Sequence, residues 1–179
     1  MKRMPGFLPI ALLLFACAPA APPPPTQVQV TPVAAPGFPP TLRWGLTQRW
    51  IDWNNGKATP VWPPNHGCAA APRVETLAPG KTIDRFGDDN GSFFSPRGEA
   101  YATRAVPYVC RQMDYTVYRV AKPIAVQTCA AAPWFGEPGG ATQYRTAEPA
   151  ARLVAAGQLE VVSHASGGST GPAPQCGRP

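Results

Sequence analysis

Proline placement decides where this chain can fold. Pro22 to Pro25 form an uninterrupted run, and Pro32, Pro36, Pro39 and Pro40 follow it within 18–41. Proline lacks an amide donor and fixes φ, so this stretch reads as an extended polyproline spacer that builds no core. Ahead of it, Lys2 and Arg3 precede a short apolar run from Leu8 to Phe15, interrupted by Pro9. That order predicts a secretory signal over 1–17. The run is shorter than the roughly 20 apolar residues a permanent span needs. Cys17 directly follows Leu14-Phe15-Ala16, which resembles the lipobox of bacterial lipoproteins. Cys17 would then be the lipidated N-terminus, tethering an exported protein to a membrane. The alternative is a plain signal peptide cut near Ala18–Ala21, which discards Cys17 and releases a secreted protein. The foldable part is 42–166, one domain of a size that supports a single core. The remainder, 167–179, is rich in Gly, Ser and Pro and reads as a flexible tail.

Charge and cysteines narrow the classes. The net charge is +6, and losing Lys2 and Arg3 takes it to +4. The arginines stand singly among aromatics and form no stripe, which argues against nucleic acid as a partner and suits a small anionic ligand. Beyond Cys17 there are Cys68, Cys110, Cys129 and Cys176. An even number in an exported chain predicts two disulfides, their connectivity open, with a bridge through Cys176 tying the tail to the domain. No Cys-x-x-Cys pair occurs and the histidines are His66 and His164, so no metal site is expected. Neither a P-loop nor a strand–GxGxxG–helix unit is present, so nucleotide binding of those two kinds is unsupported.

Patterning predicts an α+β fold that is mainly β. Tyr115–Val120 and Ile124–Thr128 are rich in β-branched and aromatic residues and read as successive strands, with Leu159–Val162 as a closing strand. Pro149–Ala156 reads as a short helix, with proline in its first turn and Gly157 just past its end. Trp44, Trp50, Trp53 and Trp62 crowd the start of the domain, as a helix cap or a small subcore. Trp134-Phe135-Gly136-Glu137-Pro138-Gly139-Gly140 runs on to Gln143 and Tyr144. Glycine permits close approach and positive φ, and proline fixes the path. The loop therefore reads as the edge of a site.

Six further blocks stand in order: Trp62-Pro63-Pro64-Asn65-His66-Gly67, Leu77-Ala78-Pro79-Gly80, Ile83-Asp84-Arg85-Phe86-Gly87, Gly91-Ser92-Phe93-Phe94-Ser95-Pro96, Arg104-Ala105-Val106-Pro107 and Tyr115–Val120. Together with 133–144 they resemble the tuberculosis necrotizing toxin domain, a family of secreted NAD+ glycohydrolases. The resemblance runs from about Trp62 to Val162. It implies twisted antiparallel sheets with a few short helices, distantly similar to ADP-ribosyltransferases. The implied reaction is cleavage of NAD+ or NADP+ to nicotinamide and an ADP-ribose product, with the dinucleotide as substrate and no cofactor expected. Carried over by position, Gln143 and Arg85 are the catalytic candidates, and Arg104, Phe93 and Phe86 the substrate-binding ones. NAD+ carries a cationic pyridinium that leaves as neutral nicotinamide, so the paired carboxylates of ordinary glycoside hydrolysis are not needed. Arginine forks suit a pyrophosphate, and an aromatic face suits the cationic ring.

Taken singly, Asp84 and Arg85 read as a strand-end ion pair, and one of Phe93 and Phe94 as core. The chain also departs from the family pattern. Glu137 and Ala141 replace a glutamine and a glycine, and Ala141 would be strained if its position needs positive φ. Thr116 or Val117 stands where some members carry histidine. Two other readings stay open: an ADP-ribosyltransferase using Glu137, and an inactive lipoprotein that only binds. A producing cell would need protection by export, by late disulfide formation or by an immunity protein as partner.

Overall fold

The computed structural model describes Leu42, Arg43, Leu46, residues 49–168 and Cys176. The signal segment with Cys17, the spacer, Trp44 and most of the tail lie outside the described residues. Among the described residues, no helix is long and apolar enough to cross a membrane.

Nine strands are described: β1 (Ile51–Asn54), β2 (Lys57–Pro60), β3 (Arg73–Leu77), β4 (Thr82–Phe86), β5 (Phe93–Pro96), β6 (Tyr115–Val120), β7 (Ile124–Ala130), β8 (Thr142–Arg145) and β9 (Leu159–Ala165). One helix, α1 (Ala150–Ala155), and three single 3-10 turns complete them, so the mainly β expectation holds. β1 and β2 form a hairpin. Asn55 and Gly56 take φ of 49° and 73°, the Asn-Gly turn whose twist matches two paired strands. The other strands make one antiparallel sheet in the order β3-β7-β8-β5-β4-β6-β9.

β5 joins the two halves of that sheet. Phe93 and Phe94 pair with Arg145 and Tyr144 of β8, while Ser95 and Pro96 pair with Asp84 and Ile83 of β4. Strand residues alternate between faces, and the register carries that alternation across the sheet. Ile83, Phe94, Tyr118 and Tyr144 therefore share one face and Asp84, Phe86, Phe93 and Gln143 the other. The first face is the core: Leu77, Ile83, Phe94, Tyr118, Val120, Ile124, Val126 and Tyr144 pack with Ala150, Leu153 and Leu159. Pro149 caps α1 in an extended conformation, and Gly157 ends it at φ 64°.

The first amides of α1 do not go unpaired. Ala150 N–H donates to the Gly91 carbonyl at 3.0 Å and Ala151 N–H to that of Asp89 at 2.9 Å. Amides that a helix leaves without internal partners thus hold the loop between β4 and β5.

Trp50 packs edge-on against Trp134 at 4.9 Å and Trp62 edge-on against Phe135 at 5.5 Å. Trp50 and Trp62 thus build a small subcore with Trp134 and Phe135. Two disulfides are present, Cys68–Cys129 and Cys110–Cys176, closing separations of 61 and 66 residues. Loops of that length are worth about 4 kcal/mol each in the chain-entropy account. The second joins Cys176 to the turn at Cys110–Gln112, where Gly167 N–H also donates to Asp114 at 2.7 Å.

Candidate active site

A cavity of about 780 Å3 lies against the polar face of the sheet, within the range of small-molecule sites, and Arg85 reaches it from the core face, beside Phe94. Arg85, Phe86, Phe93, Arg104 and Gln143 all line it. They come from β4, β5, β8 and the 3-10 turn Ala102–Arg104. The sequence separates them by up to 58 positions; the sheet brings them together.

Arg85 is the most unusual of the five. It is 6% exposed, and its Nε and Nη1 are buried without a hydrogen-bond partner among the described residues. Its guanidinium lies 5.8 Å from the centre of the Phe94 ring. Burial pulls its pKa down, opposed by Tyr118, Asp88 and Asp89. A Cβ on Gly91 would come within 2.2 Å of Arg85 Nη2, so Gly91 is required for close approach of this side chain. A buried cation with unpaired donors is costly in an empty protein and well suited to an anionic ligand.

The Asp84–Arg85 pair does not form, because adjacent strand residues face opposite ways. Asp84 is fully buried and pairs instead with Arg104, Nη2 to Oδ1, at 2.6 Å. That contact is an ion pair outside hydrogen-bonding angles. Asp84 Oδ2 accepts from Tyr115 Oη at 2.7 Å and Gly98 N–H at 3.1 Å. Arg104 further donates from Nε and Nη2 to the Glu99 carbonyl, at 3.3 and 3.0 Å, and covers Phe86 at 5.0 Å. Phe86 in turn packs on Tyr101 and Tyr115 at 4.7 and 4.8 Å. Arg104 thus reaches the cavity with much of its fork already engaged.

Phe93 is 42% exposed while Phe94 is buried in the core. Gln143 Nε2 donates to the His66 carbonyl at 3.0 Å and lies 3.8 and 3.7 Å from the sulfurs of Cys68 and Cys129. The opposite amide assignment would set oxygen against oxygen, so the network fixes the orientation. Oε1 is then left without a protein partner among the described residues.

Of the run from Trp134 to Tyr144 read as a site edge, Gln143 lines the cavity and residues 134–141 do not. Phe135 is buried, and Gly139, at φ 69°, lies so close to the backbone of Ala131–Pro133 that a Cβ would approach to 2.6 Å. The loop buttresses the wall: Trp134 Nε1 donates to the Val61 carbonyl at 2.7 Å, holding the chain beside Trp62. Positive φ falls at Phe135, Gly136, Gly139 and Gly140 and not at Ala141, so Ala141 carries no strain. Glu137 is ion-paired with Arg43, whose Nη2 also donates to the Phe135 carbonyl at 2.7 Å. Glu137 does not line the cavity. His66, Asp88 and Tyr108, which the sequence gives no binding role, line the cavity as well, and so does Trp62 of the tryptophan subcore. Trp62 and His66 belong to a motif block; Tyr108 carries no sequence signal. Among the described residues, no group of three or more His, Cys, Asp or Glu is placed to hold a metal.

Fold and cavity define a mainly antiparallel β domain with one arginine- and aromatic-walled cleft. Residues 76–162 match the family model described as Tuberculosis necrotizing toxin. A curated relative, the conidial surface nicotinamide adenine dinucleotide glycohydrolase nadA of Aspergillus fumigatus, is 32% identical over 111 residues. The match covers 55% of this chain and 47% of the relative, so the chain spans about half that protein's length. Among solved structures, tuberculosis necrotizing toxin complexed with its immunity factor aligns with a TM-score of 0.51 and 21% identity, over 59% of this chain and 63% of that one. At that identity the likeness is one of fold.

Proposed function

We propose that this domain is an exported NAD+ glycohydrolase, hydrolysing the N-glycosidic bond of NAD+ or NADP+, and acts as a toxin. The observation that carries the reading is the pairing, in one cavity, of Arg85 with unpartnered buried donors and Gln143 with a fixed amide and an unused acceptor. The name of the fungal relative supports the substrate class.

In this reading Arg85 grips the pyrophosphate, a charge-assisted contact that completes donors left empty by the fold. Phe93 lies against the nicotinamide ring, whose cationic form an aromatic face attracts. Arg104, held by Asp84 and Glu99, keeps Phe86 in the wall and contributes little of the grip. Because Gln143 Nε2 is spent on His66, Oε1 is the group it offers, and it accepts a hydrogen bond from the attacking water or a ribose hydroxyl. Water oxygen bonds to the anomeric carbon, the C–N electron pair passes to the pyridinium nitrogen, and neutral nicotinamide leaves. The water's second proton goes to solvent. Acceleration comes from positioning and from electrostatics in a sheltered site.

The test is incubation of the oxidised full chain with NAD+ and, separately, NADP+, following both products. Equal release of nicotinamide and ADP-ribose is expected; ADP-ribose bound to protein would favour a transferase, and no release would sink the reading. Arg85→Met should raise KM by about 10- to 100-fold, the range of a charged hydrogen bond. It should leave stability unchanged or higher, since it removes a buried cation with unpaired donors. A destabilised Arg85→Met with normal KM would make Arg85 a structural residue.

The envelope or the outside is the proposed site of action. Anchoring through Cys17 and protection by an immunity protein belong to the same proposal. Globomycin-sensitive processing of the chain would support the lipid anchor, and its absence would leave a secreted protein.

A further inference from the structure

The block at 62–67 and the Cys68–Cys129 bridge converge on one side chain. His66 and Asn65 both hold left-handed backbone, at φ 54° and 53°, a conformation costly for residues with a Cβ. The result is that the His66 carbonyl faces Gln143 Nε2 at 3.0 Å. Gly67, at φ 85°, leaves only 3.3 Å between a would-be Cβ and Gln143 Oε1, so the peptide closes over the amide. What holds this strained turn against the sheet is covalent at Cys68. Cys68 bonds to Cys129 of β7, and Cys129 stands directly opposite Gln143 in the β7–β8 register. Both sulfurs lie within 3.8 Å of Nε2. Backbone bonds from Ala69 N–H to the Ala130 carbonyl at 2.9 Å and from Ala132 N–H to the Gly67 carbonyl at 2.7 Å add to the docking.

We propose that the Cys68–Cys129 disulfide is the positioning element for the Gln143 amide, so that the site is complete only once this bridge has closed. The inference rests on reading Gln143 as a group that touches substrate. A dithiol reductant supplies two electrons and two protons, becoming a disulfide itself, and converts the bridge to two thiols. The turn at 65–67 is then held by backbone bonds alone, against its own strain, and the His66 carbonyl no longer has a fixed place. Reducing compartments keep such thiols open and oxidising ones close them. A chain read as exported would therefore be catalytically slack where it is made and competent where it is delivered. Cys110–Cys176 touches none of these groups, which makes it the internal control.

The experiment compares the oxidised full chain with Cys68→Ser/Cys129→Ser and with Cys110→Ser/Cys176→Ser. One readout is the side-chain amide resonance of Gln143, assigned by its loss in Gln143→Ala; the other is kcat and KM for NAD+. In the first pair the amide signal should move to free-glutamine values, and kcat should fall about 10- to 100-fold with KM within about threefold, as for a misplaced reacting group. The second pair should leave both readouts in place. If the amide signal and kcat are unchanged in the first pair, the inference is overturned. Should the serine pair not fold, Cys68→Ala/Cys129→Val refills the space without the bond, and if that also fails to fold the bridge is a stability element only and the inference falls. A wild type that holds the amide signal but releases no nicotinamide would instead overturn the glycohydrolase reading.

Discussion

Gln143→Ala is expected to lower kcat for NAD+ hydrolysis by about 100- to 1000-fold, the usual cost of losing one aligned transition-state contact. Its stability should change by only about 1 kcal/mol, because the side chain is partly exposed and gives up one ordinary hydrogen bond. The sharper form is Gln143→Glu. A carboxylate is a better acceptor than an amide, so a site that needed only an acceptor would keep its rate. Here the second oxygen would face the His66 carbonyl and two sulfurs, where Nε2 now donates. Like-polarity contact there would turn the group out of place, and Gln143→Glu should lose nearly as much as Gln143→Ala. Circular dichroism and steady-state nicotinamide release measure both. An active Gln143→Glu would show that the donor half of the amide has no part in the reaction.

What the sequence discloses depends on how local the signal is. β6 is legible to the residue because every position of Tyr115–Val120 except Arg119 is β-branched or aromatic. α1 is legible because Pro149 and Gly157 bracket it. β9 runs to Ala165 rather than Val162: Ser163 and His164 have no apolar alternation, and pairing with β6 alone extends the strand. The β1–β2 hairpin has its Asn55-Gly56 turn in plain view, but Ile-Asp-Trp-Asn and Lys-Ala-Thr-Pro flank it without a clear apolar face. Disulfide partners 61 and 66 residues apart leave no trace in spacing.

The site shows the same limit. Family blocks indicate which residues meet, and all five candidates line one cavity. Composition alone misplaces the 134–141 loop, since glycine and proline mark close backbone packing whether the neighbour is a ligand or another loop. Here it is the backbone at Ala131–Pro133. Nor does local sequence show that Glu137 is held by Arg43, 94 residues away. Arg104 is the clearest case, because its identity suggests a ligand while its partners are supplied by β4 and by its own turn.

That last point yields the second large effect. Asp84 is wholly buried and receives Arg104, Tyr115 Oη and Gly98 N–H. Asp84→Ala would strand a nearly buried guanidinium and two further donors, and should cost about 3–5 kcal/mol in urea unfolding. Arg104→Met added to it should recover part of that loss, since removing both partners leaves fewer unsatisfied groups than removing one. The double variant also separates strut from ligand. With Nε and Nη2 committed to Glu99 and Asp84, Arg104 has little charge left for a pyrophosphate, and KM for NAD+ should stay within about threefold of wild type, or 0.7 kcal/mol. A rise as large as that of Arg85→Met would mean that Arg104 leaves Asp84 when substrate arrives. The two arginines would then grip the pyrophosphate together, at the expense of the buried pair that orders the cavity without it.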